Sequence, residues 1–158
     1  MSAKNLWAVD KGGTKLATHD ATGSHLVRKK GDIQTQRFRV AIADINAGYT
    51  LMAALVGFQY RLIDCLAIAV GGAAAAVTTV DVLGTQTSSV KLCAFAQAQL
   101  TQSTVLRPGV TGCTVLADGA SFVACDANTA ITVNKSGSDV TTATHVDFVI
   151  TYAIDEGS

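Results

Sequence analysis

Charge is scarce in this chain of 158 residues: Asp, Glu, Lys and Arg make up 15 % of it, against an ordinary share of about 25 %. So little charge implies that much of the outer surface is committed to a contact, and an oligomeric interface is the simplest candidate. Proline occurs once and aromatic residues reach only 6 %, with one Trp and three Tyr. That is a poor stock for stacking on sugars. No C-x-x-C pair exists among Cys65, Cys93, Cys113 and Cys125, and no His lies near any of them in sequence, which argues against zinc. In a reducing cytoplasm these thiols read as small buried hydrophobes. No uncharged run is longer than the 16 residues of Cys65 to Val80, short of the roughly 20 that a membrane span requires. A secretory-type apolar segment is missing from the polar N-terminus. Gly-x-Ser-x-Gly is missing too.

Glycine is plentiful, at 14 residues, and Ala, Thr and Val dominate, which favours strands joined by glycine turns. From Arg37 onward the alternation is regular. Phe38, Val40 and Ile42 share one face, and a turn is expected at Asn46-Ala47-Gly48. In the next long run Tyr60, Leu62, Leu66, Ile68 and Val70 are placed on one face, with Asp64 as its odd member, a mark of a bulge or a polar contact. Cys65 to Val80 reads as strand, Gly71-Gly72 turn, strand. The Ala- and Gln-rich stretch 88–100 fits either a short helix or a strand with Val90, Leu92, Ala94 and Ala96 inward. Strand running into a turn is the favoured reading. Turns are expected at Pro108-Gly109, Asp118-Gly119 and Ser136-Gly137. Val146, Phe148, Ile150, Tyr152 and Ile154 alternate without a break. About eight strands between Arg37 and Ile154 predict an all-β fold, an antiparallel β-sandwich of jelly-roll-like form over residues 37–158.

Residues 1–36 show no sustained period and predict an extended arm. Residues 1–39 hold eight basic residues against three acidic ones, a net +5, and the remainder carries −5. A basic leader on an acidic body points to an acidic partner or to a solvated arm. Without aromatic interleaving it is a thin footprint for nucleic acid. Trp7 is a natural anchor at a docking site.

Candidates for chemistry are few. L-W-A-V-D-K-G-G-T-K resembles the first phosphate loop of sugar kinases in the actin-like superfamily, but Lys11 follows the Asp and no second phosphate loop appears. One domain is also half of what such a kinase needs, so a glycine turn is preferred. His19 and His25 fall in the arm, and His145 shares a strand face with Asp147. Asp118 and Asp126 flank an apolar stretch, and ordinary turns are preferred there to a calcium site. No catalytic constellation emerges, and neither does a cofactor site.

The stretch Y-R-L-I-D-C-L-A-I-A-V-G-G-A-A-A-A-V-T-T-V-D-V-L-G-T, with V-L-A-D-G-A-S-F-V-A-C-D-A-N-T-A-I-T-V-N-K-S-G and H-V-D-F-V-I-T-Y-A-I, resembles virion proteins of tailed bacteriophages. The relatives in mind are small head decoration, cement or head-fibre subunits with a jelly-roll-like body, and the likeness covers about residues 37–156. It implies a non-enzymatic homotrimer, made in the host cytoplasm and attached to the outside of a capsid. The implied partners are the major capsid protein and further copies of the chain, with no specific nucleic acid and no membrane. Attachment through the arm would involve Trp7, Lys11, Lys15, Arg28, Lys29 and Lys30. The alternative is a carbohydrate-binding sandwich of a phage fibre or tail.

Overall fold

The computed structural model describes residues 33–85, 91–114 and 125–156, together with the backbone of two short strands, β1 (Thr18–His19) and β2 (His25–Leu26), which pair antiparallel. The rest of the N-terminal segment, including Trp7, Lys11, Lys15, Arg28, Lys29 and Lys30, lies outside the described residues, as do Val90 and Asp118.

Eight strands build an all-β antiparallel sandwich. They are β3 (Gln34–Ala41), β4 (Tyr49–Met52), β5 (Phe58–Val70), β6 (Ala74–Leu83), β7 (Lys91–Ala96), β8 (Cys113–Thr114), β9 (Ile131–Thr142) and β10 (His145–Glu156). A three-stranded sheet has the order β3-β10-β5, and a five-stranded sheet the order β4-β9-β6-β7-β8. The chain passes between the sheets after β3, β4, β5 and β9. The first strand is expected from Arg37, but pairing with β10 already begins at Gln34, opposite Tyr152.

Period two explains the core where no residue is inserted. Val146, Phe148, Ile150, Tyr152 and Ile154 are all buried, as expected, and Phe148 meets Phe95 of the opposing sheet with ring centroids 6.3 Å apart. β5 obeys the same rule in two halves. Asp64 pairs with Thr151 but Leu62 pairs with Tyr152, so Ile63 is the extra residue of a bulge. Tyr60 and Leu62 point inward before it, and Cys65, Ala67 and Ala69 after it. The expectation that Leu66, Ile68 and Val70 share the face of Tyr60 is therefore corrected, because the inserted residue reverses the parity. A similar shift between Val82 and Leu83, opposite Leu92, turns Cys93 and Phe95 inward in place of the expected Ala94 and Ala96.

Two local signals resolve differently from their first reading. Ile42 does not end a strand but opens a short helix, α1 (Ile42–Ala47), which buries Ile42 and Ile45 on one side. Gly48, at φ 84°, closes it with its N–H on the Ile45 carbonyl. Ser136-Gly137 is no turn: β9 runs through it, and Gly137 takes φ 85° beside a register shift against β6. The Gly71-Gly72 turn joins β5 to β6 as expected, and β7 is a strand running into a turn.

The edges are managed unevenly. The free edge of β5 is covered by the loop that follows β7, through paired bonds between Ala67 and Leu106 and a bond from the Ala69 N–H to the Thr101 carbonyl.

Candidate functional surface

Outward residues of the small sheet form rows across its three strands. Arg39, Asp147 and Ile68 lie side by side, as do Arg37, Val149 and Leu66, and Ala41, His145 and Val70. Strand alternation delivers these residues to the outer face, and the bulge at Ile63 adds Leu66, Ile68 and Val70 to it. All three are half-buried, as is Val149.

Asp147 occupies the middle of this face, yet it is only 5 % exposed. Two arginines of β3 fold over it. Arg39 reaches both carboxylate oxygens, with Nε at 2.7 Å and an Nη at 2.8 Å, and Arg37 donates an Nη at 2.5 Å. These bonds, chiefly from Arg39, hold the Asp147 carboxyl well below the usual carboxylate range against the opposing effect of burial. The arginines remain 65 % and 54 % exposed along their side chains. Two more arginines follow the same pattern: Arg61 pairs with Asp155, and Arg107 donates to Asp64 at 3.1 Å.

The large sheet carries a second buried acid on its outer face. Asp81 Oδ2 receives the Ser136 hydroxyl at 2.6 Å and the Lys91 ammonium at 2.9 Å, and Lys91 also donates to Ser136 at 2.7 Å. Asp81 Oδ1 has no hydrogen-bond partner among the described residues. Asp81, Ser136 and Lys91 form a closed triangle through Asp81 Oδ2 alone. The Ser136 hydroxyl donates to Asp81 and not to Lys91, so Lys91 is not placed to activate it as a nucleophile. His145 bonds through Nδ1 to the neighbouring Thr144 hydroxyl at 3.0 Å, and the Asp147 beside it in phase is engaged by arginines.

All four cysteines are buried and unbridged. Cys65, Cys93 and Cys113 cluster in the sandwich. Contact with Cys113 pulls the Cys93 thiol down, but contact with Cys65 and burial outweigh it and push it up. The Cys113 thiol is raised by its bond to Cys93 and by burial. Burial pushes Cys125 up to about 11. Raised thiols are poor nucleophiles. No group of His, Cys, Asp or Glu among the described residues is arranged to hold a metal ion.

An open groove of about 540 Å³ lies among the loops after β7, lined by Gln99, Thr104, Val105, Leu106, Val110 and Thr111 among others. None of the described residues that line it titrates. Tyr60 and Tyr152 stack edge-on with centroids 5.7 Å apart inside the core, which leaves Tyr49 as the tyrosine a sugar can reach on the body. No described helix is long and apolar enough to cross a membrane.

Sequence reasoning places Arg37, Arg39 and Asp147 on polar strand faces. It misses their meeting, because β3 and β10 are brought together from nearly opposite ends of the described body. Compared with known proteins, the chain matches no family model, no curated protein and no solved structure.

Proposed function

We propose that the chain is a virion structural protein of a tailed bacteriophage, a trimeric decoration or cement subunit that binds the outer surface of the capsid. Its basic N-terminal segment grips the shell, and its sandwich associates with two further copies. The observation that carries this reading is the junction of the two parts. An antiparallel β-sandwich follows directly on residues 1–36, which hold six basic residues against three acidic ones, and its first strand adds Arg37 and Arg39. The polar clusters of the body are engaged in strand-to-strand ion pairs, which suits a rigid binding module.

The mechanism is linkage. A protein that binds only the assembled lattice stabilises it by mass action, by an amount that grows with the ratio of free protein to its dissociation constant. Three arms on one trimer raise the local concentration of each arm once the first has bound, so weak individual contacts give firm attachment.

Replacing Arg28, Lys29 and Lys30 by Ser in the full chain tests this reading. Co-sedimentation with emptied heads of the encoding virus is expected to fall while the oligomeric state is kept. Undiminished binding would refute the role of the basic segment.

A further inference from the structure

We infer that the outer face of the three-stranded sheet is itself a docking surface, and that its occupant is an acidic protein surface. The inference deepens the proposed function, and rests on it in seeking that partner on the capsid shell.

Four of the five arginines of the chain converge on this face or its margin: Arg37, Arg39, Arg61 and Arg107. Each is held by an aspartate of the same sheet, so its position is set before any partner arrives and little side-chain freedom is left to lose on binding. Each also keeps donors to spare. A guanidinium carries five N–H groups. Only one nitrogen of Arg37, Arg61 and Arg107, and two of Arg39, are engaged by the carboxylates. The side chains stay more than half exposed, which leaves those donors open to incoming carboxylates. Between the arginines lie Leu66, Ile68 and Val149, half-buried and apolar. Apolar patches beside a capped acid, with arginines next to them and no lysine among the described residues of the face, match the composition of protein interfaces.

Charge selects the occupant. Among the described side chains, four arginines against Asp64, Asp147 and Asp155 leave this face at +1. That residual charge, spread over forked donors, complements carboxylates. It is too small, and too closely mixed with acids and apolar surface, for a phosphate backbone, whose binding draws on several unneutralised cations. A second copy fits less well. Among the described residues, the exposed acids away from this face are Asp44 and Asp139, and Asp139 is already held by Lys135. The face is also continuous with the basic segment, since β3 carries Arg37 and Arg39 directly after it.

The test uses the full chain with three probes: poly-L-glutamate, a short DNA duplex and emptied heads. Poly-L-glutamate is expected to shift the arginine Nε–H resonances of Arg37, Arg39, Arg61 and Arg107. The double variant Arg61→Ala/Arg107→Ala should bind it about tenfold more weakly, with Lys135→Ala unchanged and thermal melts confirming that both are folded. The same double variant should lose about tenfold in affinity for heads. Unchanged binding of both probes by that variant overturns the inference. So does tighter binding of duplex DNA than of poly-L-glutamate, or a trimer that falls apart in the variant, which would make a second copy the occupant. Heads bound equally by the double variant but lost on substitution of Arg28, Lys29 and Lys30 overturn the face alone and leave the shell-binding reading standing. Heads ignored by the parent chain, with poly-L-glutamate still mapping to the face, overturn the shell-binding reading and support the docking surface.

Discussion

Asp147 points out of the sheet, yet water barely reaches it, because Arg37 and Arg39 close over it from the next strand. Its carboxyl is held below the usual range, so its ionised form favours the folded state. That contribution is complete above the unfolded carboxylate value of about 4 and is lost as the pH falls below it. Urea unfolding of the parent chain is therefore expected to weaken progressively below about pH 4, and Asp147→Asn to flatten that decline. Parallel profiles would contradict it. Gly84 makes a different demand. A β-carbon there would sit 2.6 Å from Leu92 Cδ1 and 2.8 Å from Cys125 Sγ, so Gly84→Ala overpacks the core. The expected cost is about 1–3 kcal/mol, read from the urea midpoint. The thiols give a third test at this scale. Burial shields all four side chains, so the cysteines should resist a thiol reagent in the native protein and react once it is denatured.

Strands show where sequence patterns carry structural information and where they stop. β10 contains no inserted residue, so its alternation reads directly as Val146 to Ile154 inward. The Gly71-Gly72 turn is equally plain, since both residues take positive φ, at 75° and 148°. β5 and β7 each hide a bulge, and one extra residue reverses every later assignment. Asp64 is the visible trace of the first, because a charged residue breaks the run just where parity changes. Nothing in the letters around Leu92 announces the second. Helix α1 is missed for a related reason: six residues give too short a pattern to outweigh a turn, and Asn46 becomes legible only against β9. Its side chain accepts the Val140 N–H at 2.8 Å and donates to the Val140 carbonyl at 3.1 Å, standing in for a strand neighbour. The outer arginine face is likewise invisible before folding, because its ion pairs join residues as far as 110 positions apart. The bulge makes a sharp prediction. Ile63→Ala, at a residue 37 % exposed, should cost no more than about 1 kcal/mol by urea unfolding. Deleting Ile63 should abolish cooperative folding, because Tyr60 and Leu62 would then face outward. Equal stability of the two variants would mean that the bulge does not set the parity.

At the scale of the whole molecule, low charge, a sandwich tied across its strands and a basic leader suit the proposed attachment to a larger assembly. The buried acids Asp81 and Asp147 each lie on an inner strand and bridge to bases on a neighbour, so both sheets are tied across their strands from the outside. Such a body resists distortion while its outer faces remain available for contact. Phage attachment and three-fold association are the proposal built on that frame, from the resemblance of the strand and turn phrases and from the continuity of basic charge into β3. One measurement addresses it most directly: the native mass of the purified full chain, recorded with and without emptied heads of the virus that encodes it. The account predicts a particle of three chains in solution and its transfer to the pelleting heads. A monomer that stays in the supernatant would contradict it.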